Sequence, residues 1–379
     1  MQFALNADQL AIQETARRFC AELITPHAAG WDVRCEFPRT TVKAAGAVGF
    51  GAIYVSEAGG GAGLGRVEAA VVMEALAYGC PSTAAFLSIH NLVVEMVDRH
   101  GSAAAKTKYL ALLAGCDWLG SYCLTEPGSG SDAAALKTRA VRDGDHYVVT
   151  GGKAFVSGGG MSDLYLVMAR TGEDGPRGIS CLAIEKTMAG VSFGAQERKL
   201  GWHSQPTAAV HLDQVRVPVD NRVGAEGEGF KIAMAALDGG RINIGACSLG
   251  GAQRCLDEAV SYTRGRRQFG QAVVEFQATQ FTLADMETSL QAARALLYAA
   301  AEKVTTGAED RIQFAAMAKR FASDTAMQVA DRALQLHGGY GYLMDYPIER
   351  IYRDLRVHSI LEGTNEVMRM IIAREMLKA

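Results

Sequence analysis

A heptad pattern runs through residues 276–304, FQATQFTLADMETSLQAARALLYAAAEKV. Apolar residues recur every seven positions, at Phe276, Leu283, Leu290, Leu297 and Val304. A second set lies three positions after each of the first four, at Thr279, Met286, Ala293 and Ala300. A seam held for about four heptads is typical of a long helix in an antiparallel bundle. The pattern therefore predicts a helical bundle in this part of the chain.

The segments around this stretch are predicted to be helical as well. A second helix is expected over residues 309–336, because Gly338 and Gly339 form a usual C-terminal stop. A third helix is expected from about residue 365 to the end. Together they predict a C-terminal helical domain, a four-helix bundle, over residues 226–379.

Residues 119–225 have a different character. Short β-rich runs occur at 136–142, 146–150, 164–169, 179–184 and 208–217. Asp143-Gly144, between the first two runs, is a hairpin signal. This spacing predicts a middle all-β domain, either a barrel or a sandwich.

Residues 1–118 predict an N-terminal all-α domain. Helical periodicity or good helix formers occur at 8–25, 38–48, 66–78, 84–99 and 102–114. The glycine-rich run 59–65 looks like GxGxxG, but no second parallel strand follows it, so it is predicted to be a connecting loop. The expected fold class is thus α+β with three domains: helical, β and helical.

Composition narrows the possible partners. With 49% hydrophobic residues, the 379-residue chain can bury a large core. The net charge of −3 argues against nucleic acid, and no apolar run reaches the roughly 18 residues that cross a membrane. Eight scattered cysteines without C-x-x-C and eight histidines without HExxH predict no metal site. The N-terminal residues are unlike a targeting peptide, which predicts a cytoplasmic protein, although a processed mitochondrial-matrix form would look the same.

Residues 359–377, SILEGTNEVMRMIIAREML, contain the first candidate for chemistry. Glu362 lies between an apolar pair and Gly363, which predicts a turn, and Thr364 can cap the following helix. Burial at such a place raises the pKa of a carboxylate above about 4.3 and makes it a stronger base. A solvated surface glutamate is the alternative that spacing leaves open.

Four further motifs carry groups that suit ligand binding. The turn-rich loop 121–132 offers backbone N–H groups and hydroxyls, and 153–158 places Phe155 and Ser157 two residues apart on a strand. Residues 264–270 hold three arginines that match phosphate oxygens. Gly239 and Gly240 interrupt a helical stretch, either for a ligand or for helix crossing. A polar turn, an ordinary strand and a solvated basic turn are the alternatives for the other three motifs.

Five motifs in order resemble the acyl-CoA dehydrogenase family over essentially the whole chain. They are CLTEPGSGSD (123–132), KAFVSG (153–158), RRQFG (266–270), QLHGGYGY (335–342) and LEGTNEVMRMIIARE (361–375). Within the family, four segments are most similar to the isobutyryl-CoA dehydrogenase subgroup: GRINIGACSLG (240–250), GWHSQPT (201–207), RVHSILEGTNEVMR (356–369) and GYGYLMDY (339–346).

The resemblance implies an FAD enzyme whose flavin lies between the β domain and the C-terminal bundle. Glu362 would remove the α-proton of an acyl-CoA thioester, and the β-hydrogen would leave as a hydride to flavin N5. The product would be an α,β-enoyl-CoA, and the electrons would pass to an electron-transfer flavoprotein. The implied reaction is that of a short branched-chain enzyme, from isobutyryl-CoA to methacrylyl-CoA in valine breakdown.

The same resemblance assigns residues to three sets. The flavin of the same subunit would be contacted by Tyr122, Leu124, Thr125, Gly130, Ser131, Phe155, Ser157, Thr364 and Glu366. The FAD of a neighbouring subunit would be reached by Arg266, Gln268, Phe269, Gln277, Gln335, Gly338 and Gly339. Acyl-CoA would be contacted by Ser131, Asp238, Arg241 and Arg374. Sites shared in this way imply at least a dimer, and in this family usually a dimer of dimers.

The chain is compared with the variation within the family at two positions, and several other functions stay open. Many members have Trp where Phe155 stands, which leaves the packing over the flavin open in detail. Family members that carry the catalytic base on the bundle helix have an acid at the position of Gly240, so the resemblance implies that the base here is Glu362. Nitroalkane oxidases have an aspartate at the position of Glu362, so the glutamate argues against that activity. Other possible functions are a butyryl- or 2-methylbutyryl-CoA dehydrogenase, an acyl-CoA oxidase, and a non-catalytic flavin or acyl-CoA-binding scaffold.

Overall fold

The computed structural model describes residues 4–378 and contains the three expected regions in the expected order. Helices come first, a β region follows, and a second set of helices completes the chain. The predicted α+β fold class is confirmed. The domain boundaries at residues 118 and 225 stay predictions.

Six helices form the N-terminal region. They are α1 (Ala7–Phe19), α2 (Ala28–Arg34), α3 (Arg39–Ala47), α4 (Arg66–Gly79), α5 (Pro81–His100) and α6 (Ala103–Ala114). The glycine-rich run at 59–65 is a loop, as predicted, and its last residue, Gly65, is the N-cap of α4. Sequence analysis missed α2, because a helix of seven residues is too short to show a periodic pattern.

The β region is one sheet of eight strands. These are β1 (Gly120–Cys123), β2 (Arg139–Asp143), β3 (His146–Ser157), β4 (Leu164–Arg170), β5 (Ile179–Glu185), β6 (Val191–Phe193), β7 (Thr207–Pro218) and β8 (Arg222–Val223). Their order is β6-β7-β3-β2-β4-β5-β8, with β1 parallel to β4. The predicted hairpin joins β2 to β3, and the left-handed backbone of Gly144 (φ +61°) makes its turn.

The sheet folds over itself, so β4 is buried on both faces. Leu164, Leu166 and Met168 pack with residues of α5, α6 and the long helix that follows the sheet. Tyr165 and Val167 point the other way and share a core with residues of β3 and β7. Because neither face meets water, β4 lacks polar alternation and reads as a continuous apolar run.

Five helices form the C-terminal region: α7 (Gly229–Gly265), α8 (Gln277–Thr306), α9 (Arg311–His337), α10 (Pro347–Arg356) and α11 (Asn365–Met376). A small hairpin, β9 (Arg267–Gln268) and β10 (Gln271–Ala272), joins α7 to α8. The heptad prediction is confirmed, since Met286, Leu290 and Leu297 are buried along α8. α9 packs against α7, α8 and α11, and α10 was not predicted.

α7 connects the regions, because it also packs against α4, α5 and β5. Its approach to α4 requires glycine: a Cβ on Gly250 would lie 2.1 Å from the backbone oxygen of Glu74. All eight cysteines are unpaired, and only Cys35 is exposed. In the described part of the chain, no helix is long and apolar enough to cross a membrane, and no group of three potential metal ligands occurs.

Candidate active site

Glu362 lies in a sharp turn between a short 3₁₀ turn (Val357–Ser359) and α11. Its backbone is left-handed (φ +53°), as is that of Gly363 (φ +88°). For a residue other than glycine this conformation costs about 1–2 kcal/mol, so the surrounding structure must hold it. Thr364 is the N-cap of α11, and its hydroxyl accepts a hydrogen bond from the Val367 N–H at 3.3 Å. The predicted turn and cap are both present.

A buried lysine on α9 holds this turn. The Lys319 ammonium donates hydrogen bonds to the Gly363 carbonyl oxygen and to Oδ1 of Asn365, both at 2.9 Å. The Asn365 amide in turn donates to Oγ of Ser323 at 3.0 Å and to Oδ1 of Asp324 at 2.7 Å. Burial lowers the pKa of Lys319 to about 8. The first residues of α11 are therefore tied to the middle of α9.

The paired glycines of α7 make room for two charged side chains. A Cβ on Gly240 would lie 2.3 Å from Oε2 of Glu362, and a Cβ on Gly239 would lie 2.4 Å from Cζ of Arg66. The Glu362 carboxylate and the Arg66 guanidinium thus pack against adjacent residues of one helix. The structure gives this Gly-Gly pair a packing reason that sequence analysis did not consider, and the ligand alternative stays a prediction.

The environment of Glu362 favours a neutral carboxyl group. Its Oε2 is buried and, among residues 4–378, has no hydrogen-bond partner. Burial raises the pKa of Glu362 to about 7, while the charges of Arg241, Lys319 and Arg66 act in the opposite direction. A carboxyl group with this pKa accepts a proton readily near neutral pH. The surface-glutamate alternative is therefore wrong.

Two of the predicted acyl-CoA contacts lie beside Glu362. Arg241 donates one hydrogen bond to Oδ1 of Asp238 at 2.7 Å and a second to the Glu362 carbonyl oxygen at 3.4 Å. Asp238 lines a cavity of about 410 Å³ between α4, α5 and α7, with Arg311 and Arg99 among its other lining residues. Ser131 and Arg374 are exposed and do not line this cavity.

The loop over residues 123–132 is anchored by a buried ion pair. The Lys153 ammonium donates to Oε1 of Glu126 at 2.7 Å and to the Leu124 carbonyl oxygen at 3.2 Å. The Glu126 carboxylate also accepts from the backbone N–H groups of Lys137 and Thr138, at 2.6 and 2.9 Å. These contacts fix the loop to β3; for this loop the sequence left a ligand-binding loop and a polar turn as alternatives.

The residues predicted to contact the flavin lie around this loop, and their side chains differ in solvent exposure. The Tyr122 hydroxyl is buried and has no hydrogen-bond partner within the described residues, and Leu124 is buried beside it. Phe155 is 66% exposed, with a left-handed backbone (φ +54°). The pairing of β3 with β7 shifts register between Lys153 and Val156, so a β-bulge interrupts the regular alternation that was predicted for Phe155 and Ser157.

The remaining predicted flavin contacts lie at accessible positions. Thr125 and Ser157 are partly exposed, and Gly130 and Ser131 are exposed. Glu366 is exposed in the first turn of α11, where the positive end of the helix dipole favours an anion.

The predicted cross-subunit residues gather at the far end of the bundle. A second cavity, of about 470 Å³, is lined by Arg266, Gln268, Gln335, Gly338 and Gly339 among others. Phe269 (94% exposed) and Gln277 (exposed) lie nearby but do not line it. Lys319 and Gln335 are sixteen residues apart on α9, which at 1.5 Å per residue is about 24 Å. One protomer therefore holds these residues far from its own Glu362.

Comparison with known proteins assigns the fold to a family. Three domain models of acyl-CoA dehydrogenase match the chain: the N-terminal domain at residues 6–117, the middle domain at 121–215 and the C-terminal domain at 227–377. The chain belongs to the acyl-CoA dehydrogenase family. It is therefore an FAD-dependent oxidoreductase, since members of this family bind FAD.

Individual relatives match this acyl-CoA dehydrogenase over nearly its whole length. Mitochondrial isobutyryl-CoA dehydrogenase of Dictyostelium discoideum is 52% identical over 375 residues, covering 99% of this chain and 90% of that protein. Butyryl-CoA dehydrogenase of Megasphaera elsdenii is 36% identical, with a TM-score of 0.96 over 100% of both chains. A chain from a structural study of the electron-transferring flavoprotein of Acidaminococcus fermentans is 41% identical, with a TM-score of 0.97 over 100% of both chains.

The chain's own residues fit FAD. A planar ring system needs an accessible apolar surface and polar groups at its edge, and Phe155, the open loop at Gly130 and the unpaired Tyr122 hydroxyl supply them. Arg266 supplies a guanidinium for phosphate oxygens at the second cavity. Sequence analysis missed Lys319, Arg66 and Glu95, because buried charged residues within helices have no distinguishing pattern, and it missed Tyr54, which lies in a turn before α4.

Replacing Gly240 by alanine should displace the Glu362 carboxylate, because the new Cβ would occupy the space of Oε2. We expect kcat for acyl-CoA dehydrogenation to fall about a hundredfold, the usual cost of moving a reacting group by about 1 Å. Steady-state kinetics and FAD absorbance measure the effect. Gly265→Ala, at the end of the same helix, is the control and should leave kcat unchanged. Unchanged turnover in Gly240→Ala would contradict the proposed contact.

Proposed function

We propose that this enzyme dehydrogenates isobutyryl-CoA to methacrylyl-CoA, a step of valine breakdown, with Glu362 as the base. The observation that carries the proposal is the Glu362 carboxylate, which packs against Gly240 with its Oε2 buried. Arg241 joins the Glu362 backbone to Asp238, which lines the cavity of about 410 Å³. Position 240 of α7 cannot supply the base, because it is a glycine and a side chain there would overlap the Glu362 carboxylate. The C-terminal glutamate is then the group available to remove a proton.

The proposed chemistry removes two hydrogens from neighbouring carbons of the acyl group. Glu362 takes the α-proton, and the electron pair left on the α-carbon forms the new double bond to the β-carbon. FAD, when bound, supplies the acceptor for the hydride that leaves the β-carbon. The Glu362 carboxyl group keeps the α-proton until it exchanges with solvent, so atoms and electrons balance.

The pKa of about 7 explains how Glu362 serves as a base. A carboxylate with an unshifted pKa would be ionised at neutral pH but would be a weak proton acceptor. Burial strengthens the base, and the positive charges of Arg241 and Lys319 keep a useful fraction ionised. The Glu362 carbonyl oxygen is held by Arg241 at 3.4 Å, which fixes the base relative to the cavity.

Similarity supports isobutyryl-CoA as the acyl group. The 52% identity to an isobutyryl-CoA dehydrogenase exceeds the 36% identity to a solved butyryl-CoA dehydrogenase. Butyryl- and 2-methylbutyryl-CoA are the alternatives, and one methylene changes binding by only about 1–3 kcal/mol. We further propose an electron-transfer flavoprotein as the acceptor, which the similarity to the Acidaminococcus chain supports.

A homo-oligomer, with a dimer of dimers as the proposed form, would complete each active site. The cavity at Arg266 lies about 24 Å along α9 from the Glu362 turn, so its residues suit the FAD of a neighbouring protomer better than that of their own. Phe269 and Tyr342, beside this cavity, are 94% and 82% exposed. Large exposed aromatic side chains are typical of surfaces that another subunit covers.

A panel of straight and branched acyl-CoA substrates with three to eight acyl carbons tests the acyl group. We expect the highest kcat/KM with isobutyryl-CoA, measured with a dye as electron acceptor. Butyryl-CoA and 2-methylbutyryl-CoA are the matched comparisons, because each differs from isobutyryl-CoA in branching or by one methylene. A higher kcat/KM for either one would overturn the assignment within the family.

Glu362→Gln should retain FAD and acyl-CoA binding but lose dehydrogenation by about a hundredfold to ten-thousandfold, the usual contribution of a general base. Glu287→Gln, at an exposed site on α8, is the control and should match the wild type. Anaerobic flavin bleaching by isobutyryl-CoA measures the chemical step directly. Rapid bleaching in Glu362→Gln would eliminate this base, and no bleaching in the wild type would favour a non-catalytic scaffold.

Arg266→Ala should release FAD more readily on dilution, because it removes the guanidinium from the second cavity. We expect at least about a tenfold weaker FAD affinity with an unchanged circular dichroism spectrum. Arg264→Ala is the control, since Arg264 belongs to the same basic run but does not line the cavity. Equal FAD occupancy of the two variants at matched dilution would count against this role of Arg266.

A further inference from the structure

Arg66 is buried at the start of α4, on the side of α7 that faces the substrate cavity. Its side chain is 7% exposed, and its guanidinium lies 3.6 Å above the centre of the Tyr54 ring. Its Nη2 donates a hydrogen bond to the buried Glu95 carboxylate on α5. Although burial lowers it, the pKa of Arg66 is held above its usual value by Tyr54 and Glu95, so the residue is a permanent cation.

This cation has a donor that the fold does not use. Among residues 4–378, Nη1 of Arg66 is buried without a hydrogen-bond partner. Arg66, Tyr54, Glu95 and Asp238 all line the cavity of about 410 Å³. A buried donor without a partner is destabilising. This donor is therefore free to meet a polar group that enters the cavity.

The position of Arg66 relative to Glu362 follows from the paired glycines. The Arg66 guanidinium occupies the space beside Gly239, and the Glu362 carboxylate occupies the space beside Gly240. Adjacent α7 residues therefore bring a fixed positive charge towards the base from a third direction. Arg241 approaches Glu362 from α7 itself, and Lys319 holds the Glu362 turn from α9.

We propose that Arg66 is an electrostatic positioning residue for Glu362 and that Glu95 sets the strength of its effect. The inference rests on the proposed role of Glu362 as the base. Arg66 stabilises the ionised form of Glu362, and Glu95 partly neutralises Arg66. Glu95 is itself shared, because the exposed Arg99 at the cavity contacts its other oxygen at 3.0 Å.

The other charged or titratable groups around Glu362 are either held in hydrogen bonds or neutral near pH 7. Arg66 and Glu95 are therefore the pair whose charges can tune the ionisation of Glu362. Arg241 and Lys319 are committed to hydrogen bonds that hold Asp238, Gly363 and Asn365. Burial raises the pKa of both Tyr122 and Cys247 and lowers that of His358 to about 3, so these three neighbours are neutral near pH 7. The Arg66–Glu95 pair also places a cation near the base with an anion behind it, and neither residue is hydrogen-bonded to the Glu362 turn.

The sign of each effect can be worked out. Glu362 acts as a base only when ionised, so kcat/KM falls on the acid side as pH drops through its pKa, about 7. Removing the Arg66 charge raises that pKa and moves the acid limb to higher pH. Removing the Glu95 charge strengthens the field of Arg66, which lowers the pKa and moves the limb to lower pH.

The experiment is the pH profile of kcat/KM with isobutyryl-CoA for the FAD-loaded wild type and four variants. We expect Arg66→Gln and Arg66→Gln/Glu95→Gln to shift the acid limb upward, by about one pH unit for the single variant. Glu95→Gln should shift it downward, and Arg66→Lys should return it towards the wild type. The double variant replaces the ion pair by two neutral amides, so it tests the charge even where Arg66→Gln alone folds poorly.

Arg18→Gln and Glu362→Gln serve as the two control variants that separate the possible outcomes. Arg18→Gln, on the exposed face of α1, should leave the profile unchanged. Acid limbs that coincide in the wild type and in the double variant, or that move the same way in the Arg66 and Glu95 variants, would overturn the proposal. An active Glu362→Gln enzyme would instead overturn the proposed base, so the two failures are distinguishable.

Discussion

The Lys319 ammonium is the contact on which the active site depends. It is completely buried in α9, and it binds the carbonyl oxygen of Gly363 and the side chain of Asn365. These two bonds hold the start of α11 against α9 and oppose the strain of a left-handed glutamate at position 362. Without them, the turn would be free to relax, and the Glu362 carboxylate would leave its place beside α7.

Helix α7 determines which residues the Glu362 turn packs against. Two adjacent glycines remove the side chains that would otherwise cover the helix, and a carboxylate and a guanidinium take their places. Glycine within a helix costs about 1 kcal/mol relative to alanine. In exchange, the Glu362 carboxylate and the Arg66 guanidinium pack closely against the helix. The same helix uses Gly250 to approach α4, so α7 organises both the core and the site.

The two cavities lie at different ends of the bundle and have different chemistry. Near Glu362, buried charges surround a carboxyl group whose pKa is about 7. Near Arg266, the side chains are more open and aromatic rings are exposed. A long rigid helix, α9, separates them and carries residues of both. This arrangement gives the proposed oligomer a physical reason, because one protomer cannot bring its two sets of groups together.

The sequence by itself determined the order of the three regions, the heptad helix α8 and the turn before α11, because local periodicity, glycine and capping signals are short-range. It also carried the motifs that identify the family. Tertiary structure alone decided that Oε2 of Glu362 is buried, that Lys319 binds the turn that carries it, and that Phe155 lies in a β-bulge. Those properties arise from contacts between residues tens to hundreds of positions apart, and pKa values follow burial and neighbouring charges that no local pattern encodes.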